Sequence, residues 1–199
     1  MAKKSPAKRI IFPVAILGLM AILGYYALNY TSANAAAGIK PLNESVLQAR
    51  FAYLSGVHTN LCAIPAFIYG LQNDSYLQGS CCSPMNFTSY VEQVNGLRNY
   101  SGISQIPTDP YNISTSLAKE LLGYQNMTLT SAQQATFDNA MNMSGPCCCH
   151  CWRWYAFAGQ AKYLIVNYNF SASRISAIWG LEDGCGGPLD SQGFNPPAT

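Results

Sequence analysis

Four of the eight cysteines fall within five consecutive positions, with Cys147, Cys148, Cys149 and Cys151 gathered around His150. Two more, Cys81 and Cys82, are adjacent, and Cys62 and Cys185 stand alone. No other feature restricts the fold as strongly. Clustered cysteines cannot easily pair among themselves, because a disulfide wants Cα atoms roughly 4.4–6.8 Å apart and a side-chain dihedral near 90°. The cluster must therefore act on distant segments.

Two chemistries meet that demand. In the first, an even cysteine count in an exported domain forms bridges. Cys62, Cys81, Cys82, Cys147, Cys148, Cys149, Cys151 and Cys185 are then all disulfide candidates. Cys81 and Cys82 reach across to the 147–151 cluster, each bridge being worth about 2–4 kcal/mol. In the second, the thiolates bind a soft metal. On a helix opening at Pro146, Cys147 and Cys151 share a face, as do Cys148 and Cys151. A helix N-terminus lowers a thiol pKa and raises the thiolate fraction that metals require. Cys147, Cys148, Cys149 and Cys151 with Cys81 or Cys82, and His150 as a further ligand, suit Cu(I) or Zn(II). On this reading Ser at Cys147 and Cys151 abolishes binding, whereas Cys185→Ser largely preserves it. Met85, Met141 and Met143 lie near the clusters in sequence and read as core filling more than as thioether ligands. His58 and Cys62 are four apart, a helical metal spacing that is weak evidence taken alone.

The Cys-x-x-Cys-His attachment sequence is absent, which excludes c-type haem. Cys148-Cys149-His150-Cys151 has the Cys-x-x-Cys spacing of a thiol–disulfide exchanger, a third reading, but no parallel strands accompany it. No glycine-rich phosphate loop is present, so no nucleotide is expected. Asp109, Asp138, Glu182 and Asp183 show no paired spacing for acid–base work, and no catalytic set is read.

Location follows from charge. Lys3, Lys4, Lys8 and Arg9 precede Ile10–Tyr30, a stretch with no charged residue. About 20 apolar residues span a bilayer, and the basic flank keeps that end in the cytoplasm. Ala33-Asn34-Ala35 is a competing cleavage pattern. Anchored or cleaved, the remainder is exported. From Thr31 onward seven basic residues face nine acidic ones, which removes any basic patch for nucleic acid. Asn43, Asn73, Asn86, Asn99, Asn112, Asn126, Asn142 and Asn169 each open an Asn-x-Ser/Thr sequon, a glycosylation pattern. With only 10% charged residues, a glycan coat would aid solubility.

The expected organisation is a cytoplasmic flank at 1–9, a transmembrane signal anchor at 10–30, a linker at 31–41, an extracytoplasmic helical domain at 42–187 and a flexible tail at 188–199. The fold class is all-α: an N-terminal transmembrane helix followed by a small irregular helical bundle with clustered cysteines. Helical spacing appears in 42–58 and 88–98. Ser114 or Thr115 caps a helix to Gly123, and Thr130 with Gln133 forms a capping box for one ending near Met143. Gly145-Pro146 opens a long helix from Cys147 to about Tyr168, and Ser171 or Ser173 starts the last. The connector 106–112 is turn-rich, and no strand is convincing. Trp152, Trp154 and Tyr155 read as core or interface aromatics.

Pro146-Cys147-Cys148-Cys149-His150-Cys151 has the form Pro-Cys-x-Cys-x-Cys and resembles the signature of the exported, often membrane-anchored PCYCGC-motif proteins. Phe170-Ser171-Ala172-Ser173-Arg174-Ile175 is similar to the helix start that follows the motif in some members. The resemblance covers residues 146–185 and implies metal binding, with Cys147, Cys149 and Cys151 as signature thiols. Cys148 and His150 stand where that family has Tyr and Gly, and no lipidated cysteine follows the apolar segment. The expected function is a membrane-anchored extracytoplasmic protein that binds copper or zinc for trafficking or storage. The alternatives are a disulfide-stapled, glycosylated surface subunit with a membrane or cell-surface protein partner, and a thiol–disulfide redox protein.

Overall fold

The computed structural model describes residues 42–147 and 149–185. The predicted flank, anchor, linker and tail lie outside the described residues, as does Cys148. Among the described residues no helix is long and apolar enough to cross a membrane.

Seven α-helices and one small ribbon form among the described residues. Helix α1 (Glu44–Ser55) is capped by Asn43, whose side chain accepts from Ser45 N. Helix α2 (Pro65–Tyr69) opens on Pro65, where a missing N–H costs nothing. Strand β1 (Tyr76–Gln78) follows, then α3 (Phe87–Leu97), β2 (Asn112–Ser114) and α4 (Thr115–Gly123). Helices α5 (Ser131–Met143), α6 (Trp152–Tyr168) and α7 (Ala172–Leu181) come last among the described residues. Ser114 caps α4 and Ser171 caps α7. The Thr130–Gln133 capping box is present in both directions.

Two departures from the sequence reading matter. First, β1 and β2 pair antiparallel with Leu77 opposite Ile113, both buried. Three residues per strand are too few for alternation to show, and the pairing rests on tertiary burial of those two side chains. Second, the long helix starts at Trp152, with Cys151 as its N-cap, and not at Cys147. A helix over 147–151 would place some of the cysteines on opposite faces. A non-helical segment brings Cys147, Cys149 and Cys151 to one place.

Helix α6 is the axis of the domain. Ten of its residues are buried, from Trp152 through Ile165. Around it pack Ile68, Leu77, Leu97, Ile113, Leu121, Ile178 and Trp179. Asn169 ends the helix at φ 52°, the left-handed conformation that asparagine tolerates. A second, smaller core joins Leu47 and Leu54 of α1 to Tyr90 and Val94 of α3, and to Tyr111. All eight sequon asparagines are exposed.

Candidate metal centre

The cysteines sit on four separate connectors: Cys62 between α1 and α2, Cys81 and Cys82 after β1, Cys147–Cys151 between α5 and α6, and Cys185 after α7. Backbone hydrogen bonds tie the connectors together. Asn60 N donates to Gln78 O at 2.9 Å, and Asn60 Nδ2 to Gly79 O at 2.9 Å, so the Cys62 loop lies along the end of β1. Gly79 itself has φ 84° and meets the backbone of Val57 so closely that a Cβ would overlap it. Only glycine makes that turn toward Cys81 without strain. Trp152 anchors the same loop from the other side: its backbone N donates to Ala63 O at 2.8 Å and its indole to Leu61 O at 3.1 Å. Ser83 holds Cys185 O through its backbone N and its hydroxyl, at 3.0 and 2.6 Å.

These connectors bring the sulfurs into a closed ring. Cys62 Sγ lies 3.1 Å from Cys82, which lies 3.3 Å from Cys81. Cys81 is 3.4 Å from Cys185, and Cys185 is 3.0 Å from Cys147. Cys147 is 3.9 Å from Cys149, which returns to Cys62 at 3.7 Å. Cys151, buried, lies against Cys147, Cys81 and Cys149. Seven sulfurs thus share one place. None of the seven is bonded to another, the shortest separation being well beyond the S–S bond of about 2.05 Å.

Two groups are close enough for metal coordination: Cys62, Cys81, Cys82 and Cys149, and Cys147, Cys149 and Cys185. Zn–S bonds of about 2.3 Å place the sulfurs of a tetrahedral zinc about 3.8 Å apart. The Cys62–Cys149 and Cys147–Cys149 contacts, at 3.7 and 3.9 Å, match that spacing, and the other ring contacts are shorter, at 3.0–3.4 Å. A set made of thiolates alone selects soft ions such as Zn(II) and Cu(I) over hard ones.

Crowding controls ionisation. Burial pushes the Cys62 thiol up to about 11. Cys147, hydrogen-bonded to Cys151, rises to about 12. The contact with Cys151 likewise raises Cys81. Cys149 is raised chiefly by burial, and Cys185 by its hydrogen bonds to Cys147 and Cys81. Cys151 falls well below the ordinary thiol value because Cys147 and Cys81 donate to it. At Cys82 burial opposes ionisation, but hydrogen bonds from Cys62 and Cys81 outweigh it and lower the pKa. A thiolate cluster of this density needs cations to ionise fully, and a metal, if bound, would supply them.

Arg153 lies behind the ring. It is fully buried and donates to Glu182 O at 3.3 Å and to Pro110 O. Gly184 presses on the guanidinium, where a Cβ would stand 2.3 Å from Cζ. The charge of Arg153 favours ionised Cys81.

Several expectations need revision. Cys185 belongs to the cluster, so the expected tolerance of Cys185→Ser does not fit its contacts with Cys147 and Cys81. Cys62, read from sequence only as a bridge candidate or half of a helical pair, is also a member. His58 and Cys62 share no helix, because α1 ends at Ser55. His58 instead lines a cavity of about 450 Å³ with Cys81, Cys82 and Met85. His150 is exposed, lies tilted against the Trp154 ring at 4.6 Å and joins neither sulfur group. Met141 packs against the main core and Met143 is exposed. Trp152 is wholly buried. No family model, curated protein or solved structure matches the chain.

Proposed function

We propose that the protein binds a soft metal ion, Zn(II) or Cu(I), through its cysteine ring, on the outer side of a membrane to which residues 10–30 anchor it. The observation that carries this reading is the convergence of seven sulfurs from four connectors, six of them in a ring at neighbour spacings of 3.0–3.9 Å. A bound ion would draw the protons off these crowded thiols and hold them as thiolates. The resemblance of 146–151 to the PCYCGC signature supports the same reading. The apolar segment with its basic flank supports the anchor, and eight exposed sequons support an exported, glycosylated surface. The cavity beside Cys81 and Cys82 gives an ion a path to the ring, as metal trafficking or storage requires.

The test is a free-thiol count on the exported protein under denaturing, non-reducing conditions, with elemental analysis of the same sample. Four or more free thiols with bound zinc or copper support the reading. No free thiols and no metal overturn it in favour of a bridged scaffold. Cys62–Cys82 and Cys147–Cys185, the closest pairs at 3.1 and 3.0 Å, are the bridges then expected.

A further inference from the structure

The two sulfur groups share a member. Cys149 belongs both to the group of Cys62, Cys81 and Cys82 and to the group of Cys147 and Cys185. It lies 3.7 Å from Cys62 on one side and 3.9 Å from Cys147 on the other. The second group has three sulfurs, and Cys151 lies against two of them, Cys147 and Cys149, and against Cys81 of the first. Two four-sulfur sets with one member in common use seven sulfurs, which is the number described in the ring and beneath it. A single tetrahedral ion takes four thiolates. It would leave three crowded sulfurs without a role, buried Cys151 and Cys185 among them if it occupied the first group.

Building on the metal reading above, we propose that the ring holds two divalent ions of the zinc type, bridged by the Cys149 thiolate. One ion takes Cys62, Cys81, Cys82 and Cys149. The other takes Cys147, Cys149, Cys185 and Cys151. Zinc fits better than Cu(I) because each set offers four thiolates, the number that closes a tetrahedral zinc site. Binding seven thiols as thiolates to two dications releases the thiol protons and leaves a cluster of charge −3. The buried Arg153 guanidinium behind Gly184 offsets part of that charge. A shared thiolate also lets an ion entering beside Cys82 pass inward without leaving sulfur coordination. The cavity opens at the first set, and Cys185 of the second is buried.

The experiment is a titration of the full-length, reduced, metal-free chain in detergent with Zn(II) and, separately, Cu(I), each read by native mass spectrometry, and with Co(II), read by electron paramagnetic resonance. Two zinc ions at saturation are expected. The Co(II) resonance should rise to one equivalent and then fall as the bridged pair couples antiferromagnetically. Cys62→Ser and Cys185→Ser should each retain one ion, and Cys149→Ser should lose the coupling. Saturation at one zinc, or a Co(II) signal that doubles at two equivalents, overturns the shared-thiolate proposal and leaves metal binding standing. Binding of Cu(I) alone, with no zinc or cobalt, overturns the two-zinc assignment but not the metal reading. A chain that binds none of the three overturns both. If Cys149→Ser does not fold, the Co(II) signal of the unsubstituted chain still decides.

Discussion

Glu182 caps the end of α7 and has no exposed surface. Gln160 Nε2 donates to its Oε1 at 2.5 Å, and its Oε2 has no hydrogen-bond partner among the described residues. Burial pushes the carboxyl up to about 8, against the opposing effects of the Gln160 hydrogen bond and the Arg153 charge. The folded pKa thus lies above the ordinary value of 4.5. A proton is bound more tightly in the fold than in the unfolded chain, so the stabilisation is complete below pH 4.5 and is lost as pH rises through 8. Three and a half units at about 1.4 kcal/mol per unit make the loss about 5 kcal/mol at most, comparable with the whole stability of a weak domain. Glu182→Gln keeps the shape and the Gln160 hydrogen bond while removing the titration. Urea midpoints of the two proteins, reduced and metal-free, at pH 5, 6, 7 and 8 should converge at pH 5 within about 1 kcal/mol. They should then diverge, with the Gln variant a few kcal/mol the more stable at pH 8. Parallel curves, or a parent that gains on the variant as pH rises, would refute the reasoning: Glu182 would then be the ionised counter-charge of Arg153.

Three further substitutions test other parts of the account. Gly184→Ala drives a Cβ into the fully buried Arg153 guanidinium, which cannot swing aside without giving up Glu182 O and Pro110 O. A loss of about 1–3 kcal/mol is expected in urea unfolding, and an unchanged midpoint would mean that the 183–185 loop relaxes freely. Tyr90→Phe removes the hydroxyl that donates to buried Asp109 at 2.8 Å, and should cost about 1–3 kcal/mol by the same measurement. Thr130→Ala takes away half of the capping box of α5 and should lower stability by about 1 kcal/mol, with a small loss of helical circular dichroism.

How much of this was legible depends on the range of the interaction. Caps act over three residues, so Ser114, Thr130, Ser171 and the ends of α4 and α5 follow from local chemistry. The ribbon was not legible, because Leu77 and Ile113 lie far apart in sequence and each strand shows only three residues. The extension of α6 back to Cys147 failed for a related reason: Pro146 is a good first helical residue locally, but convergence of three sulfurs overrides that preference. His150 reads as a ligand from adjacency alone, yet its ring rests on Trp154. The nearest legible hint for Cys185 was its setting in Asp183-Gly184-Cys185-Gly186-Gly187, where small residues permit close approach.

From the sequence alone came the helical class, the charge-free segment behind a basic flank, the sequon density and the soft chemistry of eight cysteines, four of them in five positions. Each of these is a property of composition or of neighbours within one or two helical turns. Which sulfurs meet is a different kind of fact. Cys62 and Cys185 enter the ring through Trp152, which holds the Cys62 loop, and through Ser83, which holds Cys185 O. Those hydrogen bonds span 91 and 102 positions in the chain. The membership of the centre is thus decided by how α6 and the connectors pack, and no local pattern encodes it.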